Sequence, residues 1–376
     1  YLGQRRDLLE AVAQQHAAPD EAAALLRHAI QSASARVHGL GQQETQRRGM
    51  GTTCTALLLL GGKGIMGHVG DSRLYVARSG QVFQLSEDHT FVQEAIRRGI
   101  LTPAQAREHP HRNVVTRAVG PSPSVLADTL VFDVLPGDTL LLCSDGLHGY
   151  VDRADELESV LRGDALESVT KRFVDLANER GGADNITALA VRASVTTQHA
   201  AVQTERARRV TAELSTLAHI SLFAELDMKE LVKVSNAADQ REHDPGDVLV
   251  REGETADTLF VLVSGSAAVS RSGQDVATLR AGDHFGEMAL LSRRPRSATV
   301  RALEPSRLLA LERDRFHALV GEDVALASKF LWRLAQTLSL RLDEVYLLQD
   351  QVRAAEASER RDTQTYGLFP SPFDRR

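Results

Sequence analysis

Cysteine and tryptophan are scarce in the 376-residue sequence, which holds two cysteines and one tryptophan. Cys54 and Cys143 are too few for a disulfide framework, so we expect a reducing, cytoplasmic setting. Neither is followed six residues later by the arginine that a phosphatase with a cysteine nucleophile needs to hold phosphate. The sequence therefore argues against that class of enzyme.

Long hydrophobic runs and an excess of positive charge are also missing. No stretch approaches the roughly 20 unbroken apolar residues of a membrane-spanning helix, and no signal peptide is visible. The formal net charge of -6 gives no electrostatic reason to bind nucleic acid. We therefore expect neither a membrane nor a nucleic acid as a partner.

The first half of the sequence predicts a layered α+β domain over residues 1–194. Apolar residues recur at helical spacing over residues 7–38, and the segments 91–110 and 154–180 also predict helices. Short apolar runs broken by glycine-containing turns lie between them and predict antiparallel hairpins. Helices that flank such hairpins are typical of a layered domain.

The second half has a different pattern. Residues 195–213 are polar and predict a linker, with a partly helical segment as the alternative. In the domain predicted for residues 214–351, closely spaced short strands and glycine turns favour a small β-barrel or roll, followed by a long helix from Val324. Residues 352–376 are expected to form the helix end and a flexible tail.

Three aspartates stand at the ends of apolar runs in the first half, namely Asp71, Asp145 and Asp184. A carboxylate at a strand end can face a shared cleft, and clustered carboxylates suit hard divalent ions such as Mn²⁺ or Mg²⁺. Any one of them could simply make a turn, because Asp-Gly and Asp-Asn pairs favour turns. Three together favour a metal site.

The segment FGEMALLSRRPRSATVRA, residues 285–302, crowds glycine, glutamate, arginine and proline between apolar runs. Such a loop is typical of a site for a small anion rather than of a core. The alternative is a surface ion pair between Glu287 and Arg296, which would contribute little.

Five segments of the first half resemble the metal-dependent Ser/Thr protein phosphatases of type 2C: GMGTTCTALLLL, GHVGDSRLYVARSGQVFQLSEDHT, VVTRAVG, GDTLLLCSDGLHGYV and GGADNITALAV. The resemblance implies two antiparallel sheets between helices, an α-β-β-α sandwich. It also implies that Asp145 and Asp184 bind the first metal of a catalytic pair, and that Asp71 helps Asp145 to hold a third. The implied reaction is hydrolysis of phosphoserine and phosphothreonine in proteins by metal-activated water.

One motif of that family is missing. Its members begin with an acidic strand residue and an Asp-Gly-Met-Gly-Gly-His-like segment, whose aspartate bridges both metals. Tyr1 falls within the helix that follows this segment, so the chain is either truncated or a catalytically inactive scaffold controlled by a nucleotide. Its start without methionine favours truncation. As written, the chain should bind the metal pair poorly.

The segment at 285–302 resembles the phosphate-binding cassette of cyclic nucleotide-binding domains, and the preceding PGDVLVREGETADTLFVLVSGSAAV resembles their β-roll. The resemblance implies that Arg296 pairs with the cyclic phosphate and that Glu287 accepts a hydrogen bond from the ribose. It further implies that backbone amides face the phosphate, in the segment made of Gly286, Glu287, Met288 and Ala289.

Two questions stay open in the second half. Ser297 follows Arg296, where a small apolar residue is usual for cAMP and a hydroxyl can also bind guanine, so the sequence favours cAMP and leaves cGMP open. The long helix carries an apolar seam. Its first turns are expected to pack on the roll and its later turns to pair with a second chain in a homodimer. The seam residues are Leu331, Leu334, Leu338, Val345, Leu348 and Val352.

Overall fold

The computed structural model describes residues 2–162, 165–194, 200–340, 342–343 and 346. We call residues 2–194 the first unit and residues 200–346 the second unit. Among the described residues, no helix has the length and apolarity that crossing a bilayer requires.

The first unit is built from short strands and longer helices, as its sequence pattern predicts. Its helices are α1 (Arg6–Ala13), α2 (Pro19–Gln43), α3 (Phe91–Arg97), α4 (Pro103–Glu108), α5 (Asp145–His148), α6 (Ala154–Leu161) and α7 (Leu166–Glu179). Its strands are β1 (Cys54–Leu60), β2 (Lys63–Val69), β3 (Arg73–Arg78), β4 (Gln81–Gln84), β5 (Asp128–Asp133), β6 (Thr139–Cys143) and β7 (Ala188–Arg192).

Two antiparallel sheets, ordered β1-β2-β5 and β4-β3-β6-β7, form the middle layers of the first unit. Helices α1 and α2 pack on the first sheet, and α6 and α7 pack on the second. Side chains alternate between the layers because successive residues of a strand point to opposite faces. In β3, Leu74 and Val76 lie in the core between the sheets, whereas Tyr75 packs in the cluster beneath α6 and α7. The α-β-β-α sandwich is therefore confirmed.

The second unit is an antiparallel roll flanked by helices. Its helices are α8 (Ala200–His219), α9 (Met228–Ala237), α10 (Met288–Leu291), α11 (Arg313–Glu322) and α12 (324–340). Its strands are β8 (Asp239–His243), β9 (Val248–Val250), β10 (Thr258–Ser264), β11 (Ser266–Arg271), β12 (Gln274–Arg280), β13 (His284–Phe285), β14 (Thr299–Ala302) and β15 (Ser306–Glu312). The two sheets are ordered β13-β10-β15-β8 and β12-β11-β14-β9.

The two units share one apolar core. Met66 and Leu130 from the first sheet belong to the same buried cluster as Leu217 of α8 and Leu231 of α9. Burial of this area stabilises the contact between the units by roughly 25 cal/mol per Å² of apolar surface removed from water. The units are therefore packed on each other.

Helix α8 belongs to the second unit and also contacts the first. In its first half, Arg206 donates a hydrogen bond to the carbonyl oxygen of Gly62, at 2.8 Å, and pairs with Asp133 of β5. In its second half, Leu214 and Leu217 are buried in the shared core. Residues 200–213, for which the sequence predicts a linker, are thus part of a continuous helix that continues to His219.

Helix α12 packs on its own chain along one face. Phe330 and Leu334 are buried, Leu338 packs against the same cluster, and Leu331 is 50% exposed. Leu334 and Leu338 thus pack as the seam predicts, whereas Leu331, its first position, does not. Its remaining positions lie outside the described residues, namely Val345, Leu348 and Val352.

Candidate functional site

Strand register brings the three predicted aspartates to one end of the second sheet. The first residue of β3 pairs with the last residue of β6, which in turn pairs with the first residue of β7. Asp71 lies two residues before β3, Asp145 lies two residues after the end of β6 at the start of α5, and Asp184 lies four residues before β7. The sheet therefore presents all three carboxylates along the same edge.

Ser144 joins two of these turns. Its backbone N–H donates to Thr187 O at 3.2 Å, and its hydroxyl donates to Asn185 O at 3.1 Å. Asp145 and Asp184 each accept a hydrogen bond from the next backbone N–H, at 2.9 and 2.7 Å respectively. These hydrogen bonds fix the two turns. Both aspartates are exposed, so their carboxylates remain open to solvent.

Asp71 differs from the other two aspartates because its side chain is buried. The residue is only 8% exposed. Burial, followed by the nearby charges of Asp145 and Asp88, raises the pKa of Asp71 to about 6. Its carbonyl oxygen accepts a hydrogen bond from Nε2 of His148, on α5, at 2.9 Å. The effect of Asp145 on the pKa of Asp71 indicates that the two carboxylates are near each other.

A buried histidine holds the backbone directly before Asp71. Nδ1 of His89 accepts the N–H of Gly70 at 3.1 Å, so Nε2 carries the proton and donates to Asp128 at 3.2 Å. Arg117 also donates to Asp128, at 2.8 Å. Burial opposes ionisation of Asp128, but His89 and Arg117 outweigh it and lower its pKa. This arrangement fixes the tautomer of His89 and the position of Gly70.

A second buried histidine packs on the first. The ring centroids of His68 and His89 are 4.7 Å apart. Nε2 of His68 donates to the carbonyl oxygen of Glu87, and Nδ1 contacts the hydroxyl of Thr55, both at 2.9 Å. Burial lowers the pKa of His68 to about 4. His68 is therefore neutral near pH 7.

The sequence analysis did not identify the histidine pair. Thr90 caps α3 by accepting the N–H of Gln93, and Asp88 forms a two-pronged ion pair with Arg73. The missed residues were His68 and His89. Their signal was weak, since each is a single histidine beside an aspartate-containing turn.

The carboxylate edge supplies metal ligands of the right type but not a complete set. Within the described part of the chain, no group of three or more histidine, cysteine, aspartate or glutamate side chains stands close enough to hold a metal ion. Mn²⁺ and Mg²⁺ require about six oxygen ligands, some of which are waters. Asp71, Asp145 and Asp184 thus fit such ions by their chemistry, but they do not form a complete set of ligands.

Arg296 is the predicted phosphate-binding residue of the second unit. Its Nη2 donates to the carbonyl oxygen of Thr258 at 2.8 Å, and its guanidinium carbon lies 5.6 Å from the centre of the Phe260 ring. Its Nη1 is buried and has no hydrogen-bond partner among the described residues. Because an unsatisfied buried donor is costly, this nitrogen is suited to an anionic ligand.

The cassette backbone is shaped around that guanidinium. Gly286 has φ of +81°, and a Cβ there would lie 2.8 Å from the carbonyl oxygen of Thr258 and would also meet Nη1 of Arg296. Only glycine allows this approach and this conformation without strain. The cassette residues Glu287 and Ala289 are buried, with 3% and 1% of their surface exposed.

Two further predicted nucleotide-binding residues are accessible. Met288 is 38% exposed, and Ser297 is also exposed. The structure therefore brings Gly286 and Arg296 into contact, while Met288 and Ser297 lie at the surface.

Comparisons with known proteins match both units. A family model described as protein phosphatase 2C matches residues 6–209, and one described as cyclic nucleotide-binding domain matches residues 240–323. The chain is 36% identical over 160 residues to protein phosphatase PhpP of Streptococcus pneumoniae, a match that covers 43% of this chain and 65% of that protein.

Two further relatives match the first unit. Serine/threonine phosphatase stp of Listeria monocytogenes is 37% identical over 172 residues, which cover 46% of this chain and 68% of that protein. The crystal structure of the Mycobacterium tuberculosis serine/threonine phosphatase PstP/Ppp is 33% identical, with a TM-score of 0.41 and coverage of 43% of this chain and 68% of that one. The chain thus spans about two thirds of the length of these relatives.

Proposed function

Because the chain belongs to the protein phosphatase 2C family, we propose that it hydrolyses phosphoserine and phosphothreonine in proteins under the control of a cyclic nucleotide. The observation that carries the proposal is the alignment of Asp71, Asp145 and Asp184 along one sheet edge, inside the region that matches the family. The cyclic nucleotide-binding match in the same chain supports the regulatory part.

Asp145 and Asp184 would hold a Mn²⁺ or Mg²⁺ ion, and Asp71 would help Asp145 to hold another. Such an ion supplies positive charge that favours ionised water and offsets the charge of the phosphoryl oxygens. The chain's own contribution is to hold the carboxylates in place, through Ser144 between two turns and through His89 behind the third.

In the second unit, Nη1 of Arg296 would donate to the cyclic phosphate and gain the partner that it lacks within the described chain. Glu287 would accept a hydrogen bond from the ribose. Gly286 leaves the space in which the phosphate can approach both the backbone and the guanidinium. We favour cAMP over cGMP, with Ser297 as the residue beside the phosphate that decides between them.

Contact between the units supports regulation of one by the other. Lys229 of α9 donates to Glu87 of the first unit at 2.7 Å, and both side chains are largely buried. Glu87 directly precedes Asp88, whose carboxylate affects the pKa of Asp71. A shift of α9 can therefore move Glu87 and the adjacent Asp88, and through Asp88 it can affect Asp71.

The test measures phosphate release from a phosphothreonine peptide by the purified chain extended with the missing Asp-Gly-Met-Gly-Gly-His-like segment, with Mn²⁺, with EDTA, and with or without cAMP or cGMP. We expect release with Mn²⁺ to fall roughly tenfold or more in Asp145→Asn and in Asp184→Asn, since each change removes a charged ligand. Asp175→Asn, on the exposed face of α7, is the matched control and should keep full activity.

The nucleotide should change the rate in the parent but not in Arg296→Ala. Release in EDTA, or full activity in Asp184→Asn, would contradict the metal-dependent mechanism. If no metal gives release and calorimetry still detects nucleotide binding, the chain is a nucleotide-controlled scaffold instead.

A further inference from the structure

Helix α5 carries one of the three aspartates and is anchored in the core. Asp145 is its first residue and His148 its last, and residues three apart on a helix lie on the same face. Leu147, between them, is 0% exposed and packs in the cluster beneath α6 and α7. The core therefore fixes α5, and with it the start of the Asp145 side chain.

The turn that carries Asp71 is held by two histidines. On one side, Nδ1 of His89 accepts the N–H of Gly70 at 3.1 Å. On the other, Nε2 of His148 donates to the carbonyl oxygen of Asp71 at 2.9 Å. Gly70 has φ of +112°, and the backbone of a glycine is free to adopt many other conformations. The contact with His148 thus ties an otherwise adaptable turn to α5.

The turn that carries Asp184 is held by a tyrosine that follows α5. Gly181 and Gly182 precede this aspartate with φ of +134° and +53°, so the local backbone has little stiffness of its own. The hydroxyl oxygen of Tyr150 accepts the N–H of Ala183 at 3.0 Å. The segment 145–150 therefore carries one carboxylate and contacts the backbone beside the other two.

We propose that His148 and Tyr150 are positioning residues, which set where the carboxylates of Asp71 and Asp184 lie relative to that of Asp145. This inference rests on the proposed metal ion at the carboxylate edge, but not on control by a nucleotide. Neither side chain is a ligand in the proposal, because each contacts backbone beside a carboxylate. Ligands on separate turns bind an ion more tightly when the turns are already fixed, since less freedom is then lost on binding.

The two contacts differ in the chemistry that they require. His148 must donate an N–H, which the side-chain amide of glutamine can also do and leucine cannot. Tyr150 must supply one oxygen as an acceptor, which phenylalanine lacks although it keeps the ring. Conservative changes can therefore separate each hydrogen bond from the packing of its side chain.

The test measures Mn²⁺ affinity without substrate, from the electron paramagnetic resonance signal of the free ion, on the extended chain used for phosphate release. We expect affinity to fall roughly fivefold in His148→Leu and in Tyr150→Phe, the value of one neutral hydrogen bond. His148→Gln should restore most of it. Tyr346→Phe is the matched control, because it removes a hydroxyl from an exposed tyrosine of the second unit, and it should bind Mn²⁺ like the parent.

Urea unfolding of the same variants in EDTA distinguishes positioning from a general loss of stability. Lower stability combined with parental Mn²⁺ affinity would show that the two contacts only hold the fold, and would overturn the inference. An equal loss of affinity in His148→Gln and His148→Leu would overturn the part that concerns His148. If His148→Leu does not fold, Tyr150→Phe lacks only one oxygen atom, and parental affinity in that variant would overturn the part that concerns Tyr150.

The outcomes also separate this inference from the proposed function. No Mn²⁺ binding by the parent overturns both. Mn²⁺ binding without phosphate release overturns the proposed function alone, and a fall of affinity in His148→Leu and Tyr150→Phe would still support the positioning of the carboxylates.

Discussion

Buried polar groups concentrate at both candidate sites. Asp71 is 8% exposed, and His68 and His89 are 0% and 1% exposed. The histidines have partners, and this network holds the turn that carries Asp71. At Arg296, by contrast, one buried N–H has no partner within the described chain. Satisfied groups thus hold the carboxylate edge, whereas the buried Nη1 of Arg296 is suited to an anionic ligand.

His68 should make the protein less stable in mild acid. Its pKa in the folded chain is about 4, against 6.5 for an ordinary histidine. Between these values the unfolded chain binds a proton that the folded chain does not, so the free energy of unfolding falls as the pH decreases from 6.5 to 4. The difference of pKa corresponds to roughly 3 kcal/mol at the lower end.

Urea unfolding at several pH values, for the parent and for His68→Gln, measures this effect. The slope of unfolding free energy against pH should be smaller in the variant between pH 6.5 and 4. His16→Gln is the control, because His16 is exposed in the turn after α1. Equal slopes in the parent and in His68→Gln would show that His68 takes up its proton in the folded state as readily as in the unfolded state.

The residues that sequence analysis identified are those that belong to local motifs. Asp71, Asp145 and Asp184 each stand in a turn after or before an apolar run, and strand register then brings them to one edge. His89 contacts Gly70, 19 residues away, and Asp128, 39 residues away. Such pairs depend on tertiary packing, which single-sequence patterns do not encode, so the histidine network could not be predicted.

At the scale of elements, strand alternation was the most informative signal. Short apolar runs between glycine-containing turns, flanked by helices, predicted a layered domain, and β3 and β6 do divide their side chains between two cores. Helix α8 was harder to predict because residues 200–213 are mostly polar, which is also typical of a linker. Its apolar contacts lie mainly in its last turns, at Leu214 and Leu217.

The later turns of the C-terminal helix should join two chains. Leu334 and Leu338 already pack on their own chain, so we expect the seam positions further along, Val345 and Leu348, to pair with a second copy. Light scattering of the full chain should give the mass of a dimer. Val345→Glu with Leu348→Glu should give a monomer, because two buried charges would face each other across the seam.

Leu340→Glu is the control for this dimer. Leu340 lies on the same helix, outside the seam, and is 65% exposed, so the same change from leucine to glutamate should leave the mass unaltered. A monomeric parent would refute the paired helix, and a dimer that survives the double change would place the interface elsewhere.

At the scale of the whole molecule, the contact between the units combines an apolar core with ion pairs. Lys229 lies 2.7 Å from Glu87, and Arg97 lies 3.3 Å from the same carboxylate. Burial opposes ionisation of Glu87, but Lys229 and then Arg97 outweigh it and lower its pKa. The charged pair is therefore maintained at neutral pH. Helix α9 is tied in turn to the end of α11, through Lys233 and Asp323 at 2.6 Å.

Lys229→Met should separate nucleotide binding from its effect on the first unit. The change removes the charge that α9 presents to Glu87, while the cassette and Arg296 are untouched, so affinity for cAMP should stay within about twofold of the parent. The effect of cAMP on phosphate release should be lost, and so should any cAMP-dependent change in hydrogen exchange at residues 86–90.

Lys233→Met is the matched control, because it removes the same charge from the same helix but breaks a pair inside the second unit. It should keep the response at residues 86–90. If Lys229→Met responds to cAMP like the parent in both measurements, the Lys229 to Glu87 contact holds the units together without carrying the signal.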